Sequence, residues 1–492
     1  MSDVKDLHRT DSKDVEIADE HDEYRAHGVN RVDLDAEFGG HENRMKIQKR
    51  LLRKVDMRMF VLVVIYILNY IDRNNASAAK LKGFERDLNL SQQEFDTLLS
   101  ILYVGYILMQ IPSNMLLNRI GKPSLHIPIC IIIWGMISTL TGVTKGFVGA
   151  LLTRFFLGFV EAAFFPGALF LLSKWYTREE LGLRTTILAC GNLISNAFGS
   201  LIASGILSNM DGVLGHAAWR WLFYIEGAIT MFVGLVAIFI LPDFPQTSRR
   251  FLTEDEQRLA VLRMENDVGE TREEDEVSQM AGLRLAFADW RVYFLALALT
   301  SMVIGLSFNA FFPTLTATLG YNSTNTLLLC APPWVFSTIV AFIVNRHADR
   351  VRERCFHIVV PLCFGIVGFI IAMSTMKTAP RYVALFLMAQ SYAGFIGFLA
   401  WVSNSLPTPP AKRAVALAYI NAFSQLGNVA GSYVWPKEWG FSYRKSYSIC
   451  IATFALTIVM CLVFRQVLAW QNRQIEKKEQ EEGKKPGFRY IL

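Results

Sequence analysis

The chain has 492 residues, of which 52% are hydrophobic and 19% charged, and its net charge is +6. One long apolar stretch could belong to a soluble domain, but here there are many, each near the ~20 residues that cross a bilayer. This composition describes an integral membrane protein, and the slight positive excess fits a basic rim at the lipid surface and implies no nucleic-acid partner.

The first segment, MSDVKDLHRTDSKDVEIADEHDEYR, is highly charged, has no apolar run that could serve as a signal peptide and has little surface to bury. Residues 1–55 are therefore expected to be a disordered cytoplasmic tail. Six apolar spans follow at 59–75, 96–117, 127–144, 147–173, 185–207 and 219–241, within a first bundle of residues 56–242. The polar stretch 243–290 contains SRRFLTEDEQRLAVLRMENDVGETREEDE, apolar at helical spacing and then acidic, which reads as an amphipathic cytoplasmic helix leading into a solvated linker. Six further spans at 292–312, 327–344, 356–376, 383–405, 415–435 and 447–464 make a second bundle of residues 291–466, followed by a cytoplasmic tail, 467–492.

Lys and Arg in the short loops set the orientation. RMKIQKRLLRKVDMR before the first span, NRIGKP after the second, KWYTREELGLR after the fourth and RHADRVRER after the eighth all fall on the cytoplasmic side. Asn89 and Asn322 begin glycosylation-type triplets in loops that fall outside. Basic loops recur at the same place in each half, as an internal six-span repeat requires, and such repeats hold their cargo between the halves. The seven cysteines have neither metal nor redox spacing and read as packing residues. Nucleotide, zinc-hydrolase and nucleophile-elbow motifs are missing, so neither an enzyme activity nor a cofactor is expected.

Few ionisable residues lie inside the spans. Asp72 and Arg73 end the first, Arg154 and Glu161 lie in TRFFLGFVEAAFFPG of the fourth, and Arg220 and Glu226 sit nearer a boundary of the sixth. A charge in hydrocarbon costs roughly 2.5–3.5 kcal/mol on insertion scales, so such residues are expected to be functional. Arg154 and Glu161 are two turns apart on one helix face, ~10.5 Å along the axis. Asp72 lies ~21 Å into a span that starts inside, and Arg154 ~10 Å into one that starts outside. In a ~30 Å core these depths coincide. A carboxylate substrate can claim an arginine bidentately and free its partner acid to take a proton. Softer candidates are Asn192, Ser195 and Asn196 on the fifth span, Phe308 and Asn309 on the seventh, Trp401 and Asn404 on the tenth, and Tyr419, Asn421, Gln425 and Asn428 on the eleventh. Polar side chains in spans serve equally often as interhelical glue.

The strings NYIDRNN, RFFLGFVEAAFFPG, AAWRWLFYIEG and LPDFPQTSRRFLTEDE resemble those of the anion:cation symporter family of the major facilitator superfamily, within the fungal allantoate, pantothenate and nicotinate permease branch. The resemblance covers residues 54–465 and implies an all-α integral membrane fold of two six-helix bundles, monomeric, with both termini cytoplasmic. It assigns proton coupling to Asp72 and Glu161, and assigns Arg73 and Arg154 to the anionic cargo or the acids. It assigns gating to Arg119, Gly121, Asp349 and Arg350, with Asn118 standing where the family usually has Asp. The proline-containing fifth-span signature of drug–proton antiporters is missing, since 185–207 contains no proline. The implied activity is proton-coupled uptake of a small organic anion, nicotinate-like or another vitamin or aromatic monocarboxylate, across the plasma membrane. An exporter of a fungal metabolite and a nutrient receptor with a transporter fold are the alternatives.

Overall fold

The computed structural model describes residues 33–120, 122–248, 251–268, 279–406, 410–440, 442–482, 487 and 489–492. Its long helices, in chain order, are α1 (His41–Lys80), α2 (Gln92–Ile120), α3 (Pro123–Thr141), α4 (Phe147–Glu161), α5 (Phe164–Trp175), α6 (Arg178–Asn209) and α7 (Ala218–Ile240). After them come α8 (Glu254–Val268), α9 (Gln279–Ala288), α10 (Trp290–Gly305), α11 (Phe312–Ala317), α12 (Ser323–Val351), α13 (Cys355–Ser374), α14 (Thr378–Ala389), α15 (Tyr392–Ser405), α16 (Pro410–Ser432) and α17 (Arg444–Glu481). Helix α1 begins inside the stretch expected to be a disordered tail, while residues 1–32 of that stretch lie outside the described residues. At the other end α17 runs through Glu481, well into the expected C-terminal tail.

Nine helical segments among the described residues are long and apolar enough to cross a membrane, and α1, α2 and α16 are not among them. For α1 and α16 the physical reason is visible in the sequence. Asp72, Arg73, Asn74 and Asn75 interrupt the apolar run of α1, and Asn421, Gln425 and Asn428 that of α16. Segments that combine two helices are broken at matched places, α4/α5 at Ala162–Ala163 and α14/α15 at Gln390–Ser391.

The packing repeats as well. In the first half α1 lies on α6, α2 on α4, and α3 on α7. The second half has the same three partnerships, α10 with α16, α12 with α15, and α13 with α17. The two halves meet through α6 on α12 and α2 on α16. Hydrogen bonds across this seam gather where α1 ends: Ser323 Oγ donates to Leu81 O (3.5 Å), Ser204 Oγ to Thr324 O (3.2 Å), and Ser208 Oγ meets Thr324 Oγ1 (2.7 Å). Tyr433 OH joins Thr97 Oγ1 (3.1 Å) and Ser100 Oγ (3.3 Å) at the same end. Among the described residues no ion pair joins the halves. Buried apolar side chains follow this geometry, since one cluster runs from the ends of α1 and α6 into the second half. The other, from Phe38 through Leu172 to Leu259, stays in the first half and α8.

Helix α8 docks on α1. Lys54 Nζ donates to Glu256 Oε2 at 2.7 Å and to Phe251 O at 3.3 Å, and Arg263 Nη1 donates to Glu180 Oε1 at 3.1 Å. Burial opposes ionisation of Glu256, but the Lys54 hydrogen bond prevails and holds its carboxyl below the ordinary value. This agrees with the helix expected from apolar spacing between the bundles.

Gly158 and Gly105 set the closest approach of α4 to α2. A Cβ at Gly158 would stand 1.9 Å from Leu102 O, and one at Gly105 would stand 2.2 Å from Phe155 O. Backbone cannot yield as a side chain does, so Gly158→Ala should destabilise by ~1–3 kcal/mol, the usual cost of overpacking. Gly205→Ala, where a Cβ meets nothing within 4 Å, should be neutral. Thermal unfolding of the two purified variants checks this. Equal midpoints would show that α4 and α2 separate freely.

Candidate functional site

The charges of α1 and α4 do converge, and Arg154 and Glu161, which share a helix face, each turn to α1 rather than to each other. Arg73 Nε donates to Glu161 Oε2 at 2.7 Å, with side chains 8% and 0% exposed. The Arg73 guanidinium carbon also lies 5.0 Å from the Tyr70 ring centroid and 4.9 Å from that of Tyr106, inside cation–π range. Arg154 shares a helix face with Glu161 yet turns to α1, where its Nη1 donates to the carbonyls of Asp72 and Arg73, both at 3.2 Å. Its Nε and Nη2 have no partner among the described residues.

Asp72 pairs with neither arginine through its carboxylate. Ser138 Oγ on α3 donates to one oxygen at 2.8 Å and Thr230 Oγ1 on α7 to the other at 3.2 Å. Asp72, Arg154 and Glu161 are all buried. Ser138 and Thr230 carried no sequence signal, since hydroxyls in spans are common and mostly bond their own helix. Glu226 was visible as a charge in an apolar helix, but its depth was not.

Between the halves lies a cavity of about 30 Å³. That is room for a water or two, so an aromatic acid would have to open it. Its polar lining includes Asn74, Asn75, Ser195, Asn196 and Asn309, with Ile71, Phe312 and Trp334 supplying apolar walls. Asn74 Nδ2 donates to Asn196 Oδ1 at 2.8 Å, and Asn196 Nδ2 donates to Asn192 O at 3.0 Å. Asn192 is thus behind Asn196 rather than in the wall. Asn309 Oδ1 has no partner among the described residues and is the side-chain acceptor that the second half brings to the cavity.

The remaining sequence candidates lie elsewhere. Trp401 is fully buried, donates from Nε1 to Ile491 O at 2.9 Å and so anchors the C-terminal segment, and it does not line the cavity. Phe308 packs among Phe312, Trp334, Phe369 and Tyr392 in the core. Gln425 Oε1 accepts from Asn428 Nδ2 at 2.9 Å within α16, the Asn421 carbonyl accepts from Ser424 Oγ, and neither residue lines the cavity. Asn404, on the last turn of α15, does not line it either. Asp349 pairs with Arg354 rather than with a partner across the halves, and Arg350 is exposed. Gly121 lies outside the described residues, as does the side chain of Arg119.

None of the four charges lines the cavity, but Asp72 and Arg73 directly precede its wall residues Asn74 and Asn75 on α1. Buried charges inside membrane helices, beside a cavity between two repeated bundles, are the features of a membrane transporter. The chain belongs to the Major Facilitator Superfamily, whose family model matches residues 62–432. It is 34% identical over 446 residues to the MFS-type transporter cnsO of Penicillium expansum, covering 88% of this chain and 84% of that one. It is 30% identical over 421 residues to a protein of Agrobacterium vitis named for tartrate transport, covering 85% of this chain and 95% of that one. Among solved structures, a bacterial homologue of the human lysosomal transporter Spinster, inward-facing and unoccupied, superposes with a TM-score of 0.62 at 17% identity, covering 83% of this chain and 95% of that one. The match is one of fold.

Proposed function

We propose that this chain is a proton-coupled carrier of a small organic anion, of the anion:cation symporter type, importing a monocarboxylate such as nicotinate or a related aromatic acid across the plasma membrane. The observation that carries this reading is the buried Arg73–Glu161 pair at 2.7 Å. Glu161 meets the guanidinium through Nε alone, so an anionic carboxylate that engages it by both of its faces, as the planar fork allows, can take Glu161's place. Glu161, deprived of its cation in a dry site and with Oε1 already lacking a partner among the described residues, then takes a proton. Cargo and proton thus load together, and the neutralised site can turn to the other side. The A. vitis relative named for tartrate transport supports a carboxylate cargo.

Labelled-acid uptake into cells expressing the protein tests the reading. Uptake should rise as external pH falls, and a protonophore should collapse it. An amide analogue of the cargo should not compete. Uptake indifferent to pH and protonophore would remove proton coupling, and efflux in place of uptake would reverse the direction.

A further inference from the structure

Glu226 takes no part in the mechanism above, yet it is 2% exposed and neither carboxyl oxygen has a partner among the described residues. It sits on α7 one turn before Thr230, which holds Asp72. On α1, Asn75 follows Asp72 by three residues and is the side chain opposite Glu226, with its own Nδ2 also lacking a partner among the described residues. The two helices therefore face each other in two rungs, Asp72 with Thr230 and Asn75 with Glu226.

We infer that Asp72 and Glu226 are a paired proton store holding one proton between them, with Glu226 as its resting seat. The inference deepens the proton-coupled reading and relies on it only for what the store is used for. From α1, the charge facing Glu226 is Asp72, of the same sign. From α4, Arg154 and Glu161 face Asp72 and not Glu226. The Arg154 guanidinium lies over Phe223, 5.8 Å from the ring centroid, and donates to carbonyls of α1. Helix α3 presents the hydroxyls of Ser138 and Thr139, with its one histidine, His126, three turns away. Helix α6 carries no charged residue from Thr185 to its end. Two neighbouring carboxylates resist ionising together in a desolvated site, and the nearby cation, Arg154, stands on the Asp72 side of the pair. Asp72 receives two hydroxyl donors, which suit a carboxylate. Glu226 has no hydroxyl donor and only the Asn75 amide opposite it, a group that can also accept from a carboxylic acid. Asn75 also lines the cavity, so the store lies one side chain from cargo.

The test reads the proton directly, apart from transport. Infrared spectra of the purified protein in lipid vesicles at neutral pH should show a protonated-carboxyl band. Glu226→Gln should remove it, and Glu161→Gln should keep it. A hydrophobic carbodiimide, which attacks only protonated buried carboxyls, gives a second reading on the unmodified chain. Mass spectrometry of its peptides should find the adduct on Glu226. No band in the parent, a band that survives Glu226→Gln, or an adduct on Asp72 or Glu161 with none on Glu226 would overturn the inference. Transport that ignores a protonophore while the band is present would sink the coupled carrier and leave the store standing.

Discussion

Glu161→Gln should abolish uphill accumulation of cargo while leaving cargo binding and exchange of internal for external cargo intact. Glutamine copies the protonated acid, so the site no longer needs a proton to turn and no longer carries one across. The structure adds a consequence for stability. Arg73 keeps the Tyr70 and Tyr106 rings but loses its anionic partner. Removing one member of a buried pair costs about 3–5 kcal/mol because the other charge is left uncompensated. The empty variant should therefore melt below the parent, and a carboxylate cargo should raise its melting temperature by more than it raises the parent's. Uptake, counterflow and thermal shift on one preparation check all three. Parent-like accumulation by Glu161→Gln would show that the Arg73 pair is packing and that another acid carries the proton.

Arg73→Lys should weaken cargo binding at least tenfold, a loss of about 1.4 kcal/mol. The ammonium keeps the charge but not the planar fork that fits a carboxylate, nor the flat face that lies against two tyrosines. Arg154→Lys separates this effect from a general loss of cation. Arg154 ties two carbonyls of α1 to α4, so shortening its reach should lower folded yield and melting temperature more than affinity. Equal affinity in the parent and in Arg73→Lys would leave Arg73 as a fixed counter-charge.

Most of the apolar spans and the matched packing of the two halves were legible because each follows from one helix at a time. Length in apolar residues, basic loops and rise per residue need no knowledge of neighbours. Pairing is different. Spacing alone placed Glu161 beside Arg154, but α1 passes closer to Arg154 than its own helix face does and takes its guanidinium, leaving Glu161 to Arg73. Asn196 and Asn309 reach the cavity, whereas Trp401, Asn404, Asn421 and Gln425 do not. All six were polar or amphipathic residues on apolar helices, and only the identity of the helix across from each one decides between cargo wall and interhelical bond. Glu226 shows the same limit from the other side, since counting from the span edge does not show that α1 lies against it.

The hydroxyl contacts that close the seam between the halves have a bearing on speed and on salt. Each such bond contributes about 0.5–1.5 kcal/mol net, because water takes over when it opens. Among the described residues no ion pair has to be separated at this seam, and the hydroxyl bonds lie beside an apolar cluster that crosses it. A ligand shifts an equilibrium only by its differential affinity, and to invert a 1:99 ratio takes about 5.5 kcal/mol. The part carried by these hydroxyl bonds is small, so cargo held loosely enough to be released can offset it. The opening of these hydroxyl bonds should be nearly indifferent to ionic strength, since screening acts on charges and these contacts have none.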